Sequence, residues 1–325
     1  MNWKRLFAIT AGLLLPLAAP VAQAADAVIK VGTNRALGTV TPYVGRAHGE
    51  FAARGVTLDI VDFQDGSVLM EAFAAGQLDV AFLGIAPSAI WQSKGVPLKV
   101  VAAANGGGHV LLTRTNTGIN DLKGLAGKKI ATPKPGSVVD TLLRAHVLGE
   151  LAGLNAEKDV QIVPGVAPAD MPAALFVSRE VDAAITWEPF ATQAATRFKG
   201  VKVLFDAAAE WRKLHPTGPL YPVNVVIARG SFIKDHPGAL RDFLAGYADT
   251  VRFINDKPNV ANAIIASELK LDASVVATAR QRIDYTVTLD PQAALQTLQW
   301  SAKLGYLKQL PTAEKLFDFT YLPKE

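Results

Sequence analysis

The sequence has 325 residues, no cysteine and a formal net charge of +4 at pH 7. The absence of cysteine excludes disulfide bonds, thiolate metal sites and cysteine nucleophiles. The small charge, and the lack of a basic run interleaved with aromatic residues, argue against a protein that binds nucleic acid. A chain of this length is more typical of two lobes than of a single hydrophobic core.

The first 24 residues have the pattern of an export signal. Residues 1–5 include two basic side chains, residues 6–21 are apolar, and residues 22–24 have the small-x-small pattern of a cleavage site. A membrane anchor is the alternative, but the apolar stretch is short for a span and contains two prolines. We therefore predict a signal peptide at 1–24, cleavage near Ala24, and a periplasmic protein that is not membrane-embedded after cleavage.

Strand and helix patterns alternate over the next eighty residues. Strands are predicted at 28–32, 57–61, 78–83 and 98–103. The first helix is expected to have Thr41 as its N-cap and Pro42 at its first position, and to end at Gly55. Further helices are predicted at 68–75 and 87–93. This alternation predicts a mostly parallel sheet with right-handed crossovers.

Two segments are predicted to cross between lobes. The first is 105–108, where three consecutive glycines are too flexible for the interior of an element. The second is the proline-rich segment 214–222. These crossings divide the chain into a first lobe at 25–108, a second lobe at 109–222 and a return to the first lobe at 223–325. Strands of the second lobe are predicted at 109–114, 130–132, 160–163, 181–187 and 201–205. After a strand at 223–229, the remainder is predicted to be helical.

Two short segments, 78–87 and 181–189, resemble each other. They read L-D-V-A-F-L-G-I-A-P and V-D-A-A-I-T-W-E-P. Each is a continuous apolar run, typical of a strand buried on both faces, that ends in a turn with proline. Ligands of open α/β sheets bind at the carboxyl ends of the strands. The repeat therefore predicts an α/β fold in which two lobes face one cleft.

The sequence lacks the enzyme and metal motifs that we sought. It contains no H-E-x-x-H, P-loop or G-x-S-x-G motif. The five histidines have no metal-ligand spacing, and we predict no catalytic residue, metal or cofactor. His109 is the histidine with the best claim to a ligand contact, because it follows the glycines of the first crossing.

The strongest local signal is the start of a helix at Gly136, Ser137 and Val138. Gly136 permits close backbone approach, and the unpaired N–H groups of a first helical turn favour an anionic group. The alternative is an ordinary capping box in which Ser137 is the N-cap and Asp140 its partner. The helix is predicted to bury one side, formed by Val139, Leu142, Leu143, Val147 and Leu151.

The second signal is the turn at Trp187 and Glu188. An aromatic side chain after a strand can form the wall of a pocket, although core packing is the alternative. Glu188 would bind a cationic or hydrogen-bond-donating group and would oppose an anion, or it would be a structural acceptor.

Other candidates lie at the remaining strand ends. Asn34 and Arg35 follow the first strand, where Arg35 is either a clamp for a carboxylate, sulfonate or phosphate or an ordinary surface residue. The other predicted ligand contacts at strand ends or crossings are Gln64, Ser67, Gly84, Ile85, Pro87, Tyr221 and Asn224.

Together these motifs resemble the periplasmic substrate-binding proteins of ABC importers, in the sulfonate, taurine, nitrate and thiamine-precursor group. The resemblance rests on residues 72–81 with Gly84 and Pro87, and on residues 121–124, 127–131, 136–137 and 187–190. It covers nearly the whole chain after the signal. It implies a two-lobed type II periplasmic binding protein fold, each lobe a mixed, mostly parallel sheet flanked by helices. It also implies closure about a hinge, and ligand contacts from the turns at 136–137 and 187–189.

The function that we predict is capture of a small organic anion, sulfonate-like, for an ABC importer. The expected partners are a small-molecule ligand and the importer's permease and ATPase complex, and the protein is expected to be a monomer. The alternatives are a neutral heterocycle, such as a thiamine or pyrimidine precursor, and an exported sensory module. An enzyme is disfavoured, because the relatives of this fold that synthesise a thiamine pyrimidine use a cysteine-rich segment that this chain lacks.

Overall fold

A computed structural model describes residues 27–63, 66–217 and 220–324. The predicted signal peptide and the candidate ligand contact Gln64 lie outside the described residues. Within the described residues the strands form one six-stranded and one five-stranded sheet. The first sheet contains all the strands before residue 108 and the two after residue 220, and the second sheet contains the strands between. Two mixed sheets flanked by helices confirm the predicted two-lobed α/β fold.

The sheet of the first lobe has the strand order β2-β1-β3-β10-β4-β11. β1 is parallel to β2 and β3, whereas β10 is antiparallel to both β3 and β4. These strands are β1 (Ala27–Thr33), β2 (Val56–Asp62), β3 (Val80–Gly84), β4 (Leu98–Gly107), β10 (Pro222–Arg229) and β11 (Ile283–Tyr285).

The sheet of the second lobe has the order β7-β6-β8-β5-β9 and repeats the arrangement of the first. β6 is parallel to β7 and β8, and β5 is antiparallel to β8 and β9. These strands are β5 (His109–Arg114), β6 (Lys129–Ala131), β7 (Gln161–Val163), β8 (Ala183–Trp187) and β9 (Val201–Asp206). The two similar sequence segments thus correspond to β3 and β8, which occupy equivalent places in the two sheets.

The helices cover both faces of the sheets. They are α1 (Thr41–His48), α2 (Gly66–Ala74), α3 (Ile85–Ser93), α4 (Val138–Thr141), α5 (Met171–Phe176), α6 (Phe190–Arg197), α7 (Ala207–Leu214), α8 (Gly230–Asp235), α9 (Pro237–Asp256), α10 (Pro258–Leu269), α11 (Ala273–Ala279), α12 (Pro291–Lys303) and α13 (Ala313–Leu316). Of the helices within the described residues, none has the length and apolar character needed to cross a bilayer.

Two of the three glycines of the first crossing lie inside a strand, which corrects the prediction that they break the pattern. Gly106 and Gly107 belong to β4, where they pair with β10 and β11. Gly107 has a φ of +73°, and a Cβ at this position would lie 2.5 Å from the Arg282 carbonyl oxygen. Glycine is therefore required because the backbones approach too closely for any side chain. A single residue, Gly108, separates β4 from β5.

Other elements also differ from the sequence prediction. α1 ends at His48 rather than near Gly55, and its N-cap position is Val40 rather than Thr41. β11 interrupts the region that was predicted to be wholly helical. This strand has only three residues. Its pairing with β4 is a tertiary contact that no local sequence pattern predicts.

The helix that follows Ser137 changes type after its first turn. α4 continues as a π-helix over Leu142–Ala152. Leu142 and Val147 are buried as predicted, but the Leu151 side chain is exposed. Leu151 is the second-last residue of this helix, which ends at the C-cap Gly153.

The hydrophobic core continues from one lobe into the other. One cluster of buried side chains includes Leu69 and Ala81 of the first lobe together with Leu111 and Ile130 of the second. α12 packs against α3 of the first lobe and against the π-helix of the second. The C-terminal region therefore contacts both lobes.

We expect Leu142→Ala to lower the free energy of unfolding by about 2–5 kcal/mol, because it removes a fully buried side chain and leaves a cavity. Leu151→Ala in the same helix is the matched control and should change stability by about 0.5 kcal/mol or less. Urea unfolding of both variants tests this. Equal losses would contradict the burial pattern of the π-helix.

Candidate functional site

A cavity of about 150 Å³ lies between the two lobes. It is bounded by the turn after β1, the carboxyl ends of β3 and β8, the start of α4 and the crossing between β4 and β5. The predicted site residues that line it are Asn34, Gly84, Pro87, His109, Ser137, Val138, Trp187, Glu188 and Asn224. Residues from both lobes thus form one binding-sized space at the strand ends, as in other open α/β sheets.

Trp187 and Glu188 form part of the wall contributed by the second lobe. The Trp187 ring is half-buried and packs edge-on against Phe190, with the ring centroids 6.3 Å apart. Glu188 is 1% exposed. Its Oε2 accepts a hydrogen bond of 3.0 Å from the Thr192 N–H, and its Oε1 lies 2.8 Å from Nη1 of Arg282. Burial raises the pKa of Glu188, and the Thr192 N–H and Arg282 oppose that shift.

His109 is a buried, neutral side chain at the crossing. Its Nδ1 lies 2.7 Å from the Tyr221 hydroxyl, and the two share a hydrogen bond. Burial lowers the pKa of His109 to about 3, since an imidazolium would lose its hydration there. Burial also raises the pKa of Tyr221 well above its ordinary value. Tyr221 does not line the cavity and lies against a smaller neighbouring one.

The start of α4 has the capping interactions that were the alternative interpretation of this segment. The Ser137 hydroxyl accepts a hydrogen bond of 3.3 Å from the Asp140 N–H, and Asp140 accepts one of 3.1 Å from the Gly136 N–H. The Asp140 carboxylate is buried and also contacts Arg144 Nε at 2.8 Å and the Tyr306 hydroxyl at 3.0 Å. Gly136, with a φ of +82°, shapes the turn but does not line the cavity.

Ser137 and Val138 do line the cavity, together with Val139. Val138 and Val139 occupy the first two positions of the helix, where backbone N–H groups have no intrahelical acceptor. A ligand acceptor at this end of the cavity would meet these groups and the positive end of the helix dipole.

Besides Gly136 and Tyr221, three other predicted contacts do not line the cavity. The Arg35 side chain is exposed, and its guanidinium is bound to the Asp62 carboxylate at 2.9 Å and to the Glu268 carbonyl oxygen at 2.8 Å. Ile85 is 1% exposed and packs in the core. Ser67 lies next to a lining residue, Gly66, but does not itself line the cavity.

The sequence analysis did not identify the Asn105 amide, the Thr39 hydroxyl or several apolar residues that line the cavity. Asn105 lines the cavity and accepts a hydrogen bond of 2.7 Å from Asn224 Nδ2. Thr39 also lines it and donates to Asn34 Oδ1 at 2.6 Å. An asparagine directly after the apolar run 100–104 was the available signal for Asn105. Other missed lining residues are Phe82, Leu69, Leu83, Val223 and Ile283.

The described lining residues include no lysine or arginine. His109 is neutral and the Glu188 carboxylate is paired with Arg282, so the wall consists mainly of amide, hydroxyl and apolar groups. Within residues 27–63, 66–217 and 220–324, no group of three or more histidine, aspartate or glutamate side chains is placed to hold a metal ion.

Residues 22–268 match the NMT1-like family. The chain belongs to this family. A Bacillus subtilis (strain 168) relative, provisionally named for binding aliphatic sulfonates, is 29% identical over 252 residues, which cover 76% of this chain and 71% of that protein. The match agrees with the resemblance expected from the sequence motifs.

Solved structures share the fold. The periplasmic aliphatic sulphonate binding protein from Escherichia coli has a TM-score of 0.74 at 21% identity, covering 91% of this chain and 99% of that one. The ligand-binding component of an ABC-type import system from Staphylococcus aureus has a TM-score of 0.76 at 18% identity, covering 91% and 97%. A desulfurization enzyme has a TM-score of 0.69 at 17% identity, covering 91% and 97%. The fold by itself therefore does not distinguish binding from catalysis.

The buried imidazole predicts acid sensitivity. Between pH 6.5 and about 3 the unfolded chain binds a proton at His109 that the folded protein does not bind. The contribution of His109 to the free energy of unfolding is fully present above pH 6.5. It falls by about 1.4 kcal/mol per pH unit as the pH decreases below that value.

We therefore expect His109→Gln to flatten the dependence of unfolding free energy on pH between 7 and 4, measured by urea unfolding. His215→Gln, at an exposed histidine, is the control and should leave the slope unchanged. A wild-type slope in His109→Gln would show that the imidazole is not buried in its neutral form.

Proposed function

We propose that this protein is the solute receptor of an ABC importer. It is exported by the signal at 1–24, works as a periplasmic monomer, captures a small solute between its lobes and delivers it unchanged to the permease and ATPase complex. Membership of the NMT1-like family and the names of its relatives support this role. The observation that carries the proposal is the cavity between the lobes, which is lined by the carboxyl ends of β3 and β8.

A sulfonate-like anion is the ligand class that the names of the relatives support. In the cavity its oxygens would accept hydrogen bonds at the start of α4, from the Ser137 hydroxyl and the N–H groups of Val138 and Val139. The negative charge of a sulfonate would then be stabilised only by the dipoles of these hydroxyl and N–H groups. The Glu188 carboxylate lies in the wall of the same cavity.

An uncharged heterocycle is the ligand class that the geometry supports better. The described lining residues supply no cationic side chain to compensate a buried anion, and a desolvated charge without a partner is unfavourable. Asn34, Asn105 and Asn224 instead offer amide donors and acceptors, and Trp187 offers aromatic surface. A flat, uncharged molecule with donor and acceptor groups at its edge fits this combination.

A thermal-shift screen of purified protein tests both ligand classes, since a ligand at 100 times its Kd stabilises the folded state by about 2.7 kcal/mol. The panel contains alkanesulfonates, taurine, aromatic sulfonates and neutral pyrimidines, with each compound recovered and assayed for turnover. We expect the largest shift from a neutral heterocycle, with no product formed. A shift confined to sulfonates would reverse the ligand assignment, and product formation would contradict the receptor role.

Trp187→Ala should weaken binding of the best ligand from that screen by about tenfold or more, since it removes an aromatic wall of the cavity. Phe198→Ala, a partly buried aromatic of the second lobe that does not line the cavity, is the control for loss of aromatic packing. Calorimetric titration measures the affinity. Unchanged binding by Trp187→Ala would place the ligand elsewhere.

A further inference from the structure

Arg282 connects the two lobes although it does not line the cavity. It directly precedes β11, one of the two edge strands of the first lobe's sheet. Its Nε lies 2.6 Å from Asp206 Oδ2, and its Nη1 lies 2.8 Å from Glu188 Oε1. Both carboxylates belong to the second lobe, at the end of β9 and just after β8. One guanidinium therefore bridges two strand ends of the opposite lobe.

The bridge is shielded from solvent at its Glu188 end. The Glu188 side chain is fully buried, whereas the side chains of Asp206 and Arg282 are 20% and 27% exposed. Asp206 is also the N-cap of α7, where it accepts hydrogen bonds from the N–H groups of Ala208 and Ala209. Without the guanidinium, Glu188 would be a buried carboxylate with no counter-ion, an arrangement that proteins strongly disfavour.

The bridge is adjacent both to the crossing and to the cavity. Ile283, the next residue, pairs with Gly107 at the crossing and lines the cavity. The Glu188 N–H donates a hydrogen bond of 2.9 Å to the carbonyl oxygen of Gly108. The angle between the lobes at this crossing and the position of the Glu188 wall are thus set by the same group of contacts.

We propose that Arg282 is a positioning residue for ligand binding, an inference that rests on the proposed receptor function. It holds the lobes in the relative orientation in which Trp187 and Glu188 complete the cavity. Loss of Arg282 shifts the population toward orientations in which Glu188 regains water, so the fraction of molecules competent to bind falls. The apparent Kd rises in proportion to that loss.

A second ion pair on the same seam provides a matched control. Arg212 of α7 binds Asp284 of β11 at 2.8 Å, which also joins the two lobes. Its side chains are 45% and 38% exposed, so solvent screens the pair and its contribution is small. Removal of either arginine deletes one interlobe cation, but only removal of Arg282 leaves a buried carboxylate without its counter-ion.

The test measures the lobe orientation without ligand. Because the chain has no cysteine, spin labels can be placed through Val177→Cys and Val260→Cys, at exposed positions on the second and first lobes. We expect Arg282→Met to shift or broaden the interlabel distance distribution and Arg212→Met to leave it as in the wild type. Arg282→Lys should have an intermediate effect, because an ammonium lacks the fork that reaches both carboxylates.

A double variant, Arg282→Met with Glu188→Gln, should recover most of the wild-type distribution, since a neutral amide needs no counter-ion. Wild-type distributions in both Arg282→Met and Arg282→Lys would overturn the proposal. If Arg282→Met fails to fold, Arg282→Lys and the double variant test the proposal in its place.

Ligand titration separates this proposal from the receptor function. Arg282→Met should raise the apparent Kd of the best ligand by about tenfold or more, and Arg212→Met should leave it within about twofold. If the wild type binds no solute but Arg282→Met still changes the interlabel distances, the receptor function is contradicted. The role of Arg282 in orienting the lobes is then supported. Unchanged affinity together with unchanged distances refutes the bridge alone.

Discussion

The close backbone packing around Gly107 is the constraint on which the arrangement of the two lobes depends. β4 of one sheet continues after a single residue into β5 of the other, and β10 and β11 pair with the same segment. No side chain fits where the Arg282 carbonyl oxygen faces Gly107. The crossing is therefore a short backbone segment paired with strands on both sides rather than a loose linker. The carboxyl ends of the parallel strands consequently face one cavity.

Charge in and around the cavity is compensated mainly by residues outside its wall. Glu188 is paired with Arg282, the buried Asp140 is paired with Arg144, and His109 is neutral because of burial. What remains in the wall is a set of amides, two hydroxyls, backbone N–H groups and apolar side chains. Selectivity in such a site depends on hydrogen-bond geometry and shape, because a ligand must replace its hydration without a full countercharge.

The sequence predicted some residues of the site correctly and others not. Trp187 was found because it ends a buried strand, and ligands of open α/β sheets bind at strand ends. Asn224 was found because it lies next to the predicted return crossing. Arg35 follows the same rule in the sequence, yet its side chain is held on the outside of the lobe by Asp62. Asn105 was missed because the glycines after it indicated a break, and Gln64 lies outside the described residues. A strand end predicts the position of a residue but not the direction of its side chain.

The sequence by itself determined the class of the fold. The alternating apolar runs, the similarity between β3 and β8 and the helix start at Ser137 are local patterns, and local patterns specify strands, helices and their parallel order. Tertiary structure alone decided the pairing of β11, the need for glycine at Gly107 and the bridge from Arg282 to Glu188. These features join residues far apart in the chain, and the free energy of such contacts depends on burial and mutual distance, which no local pattern encodes.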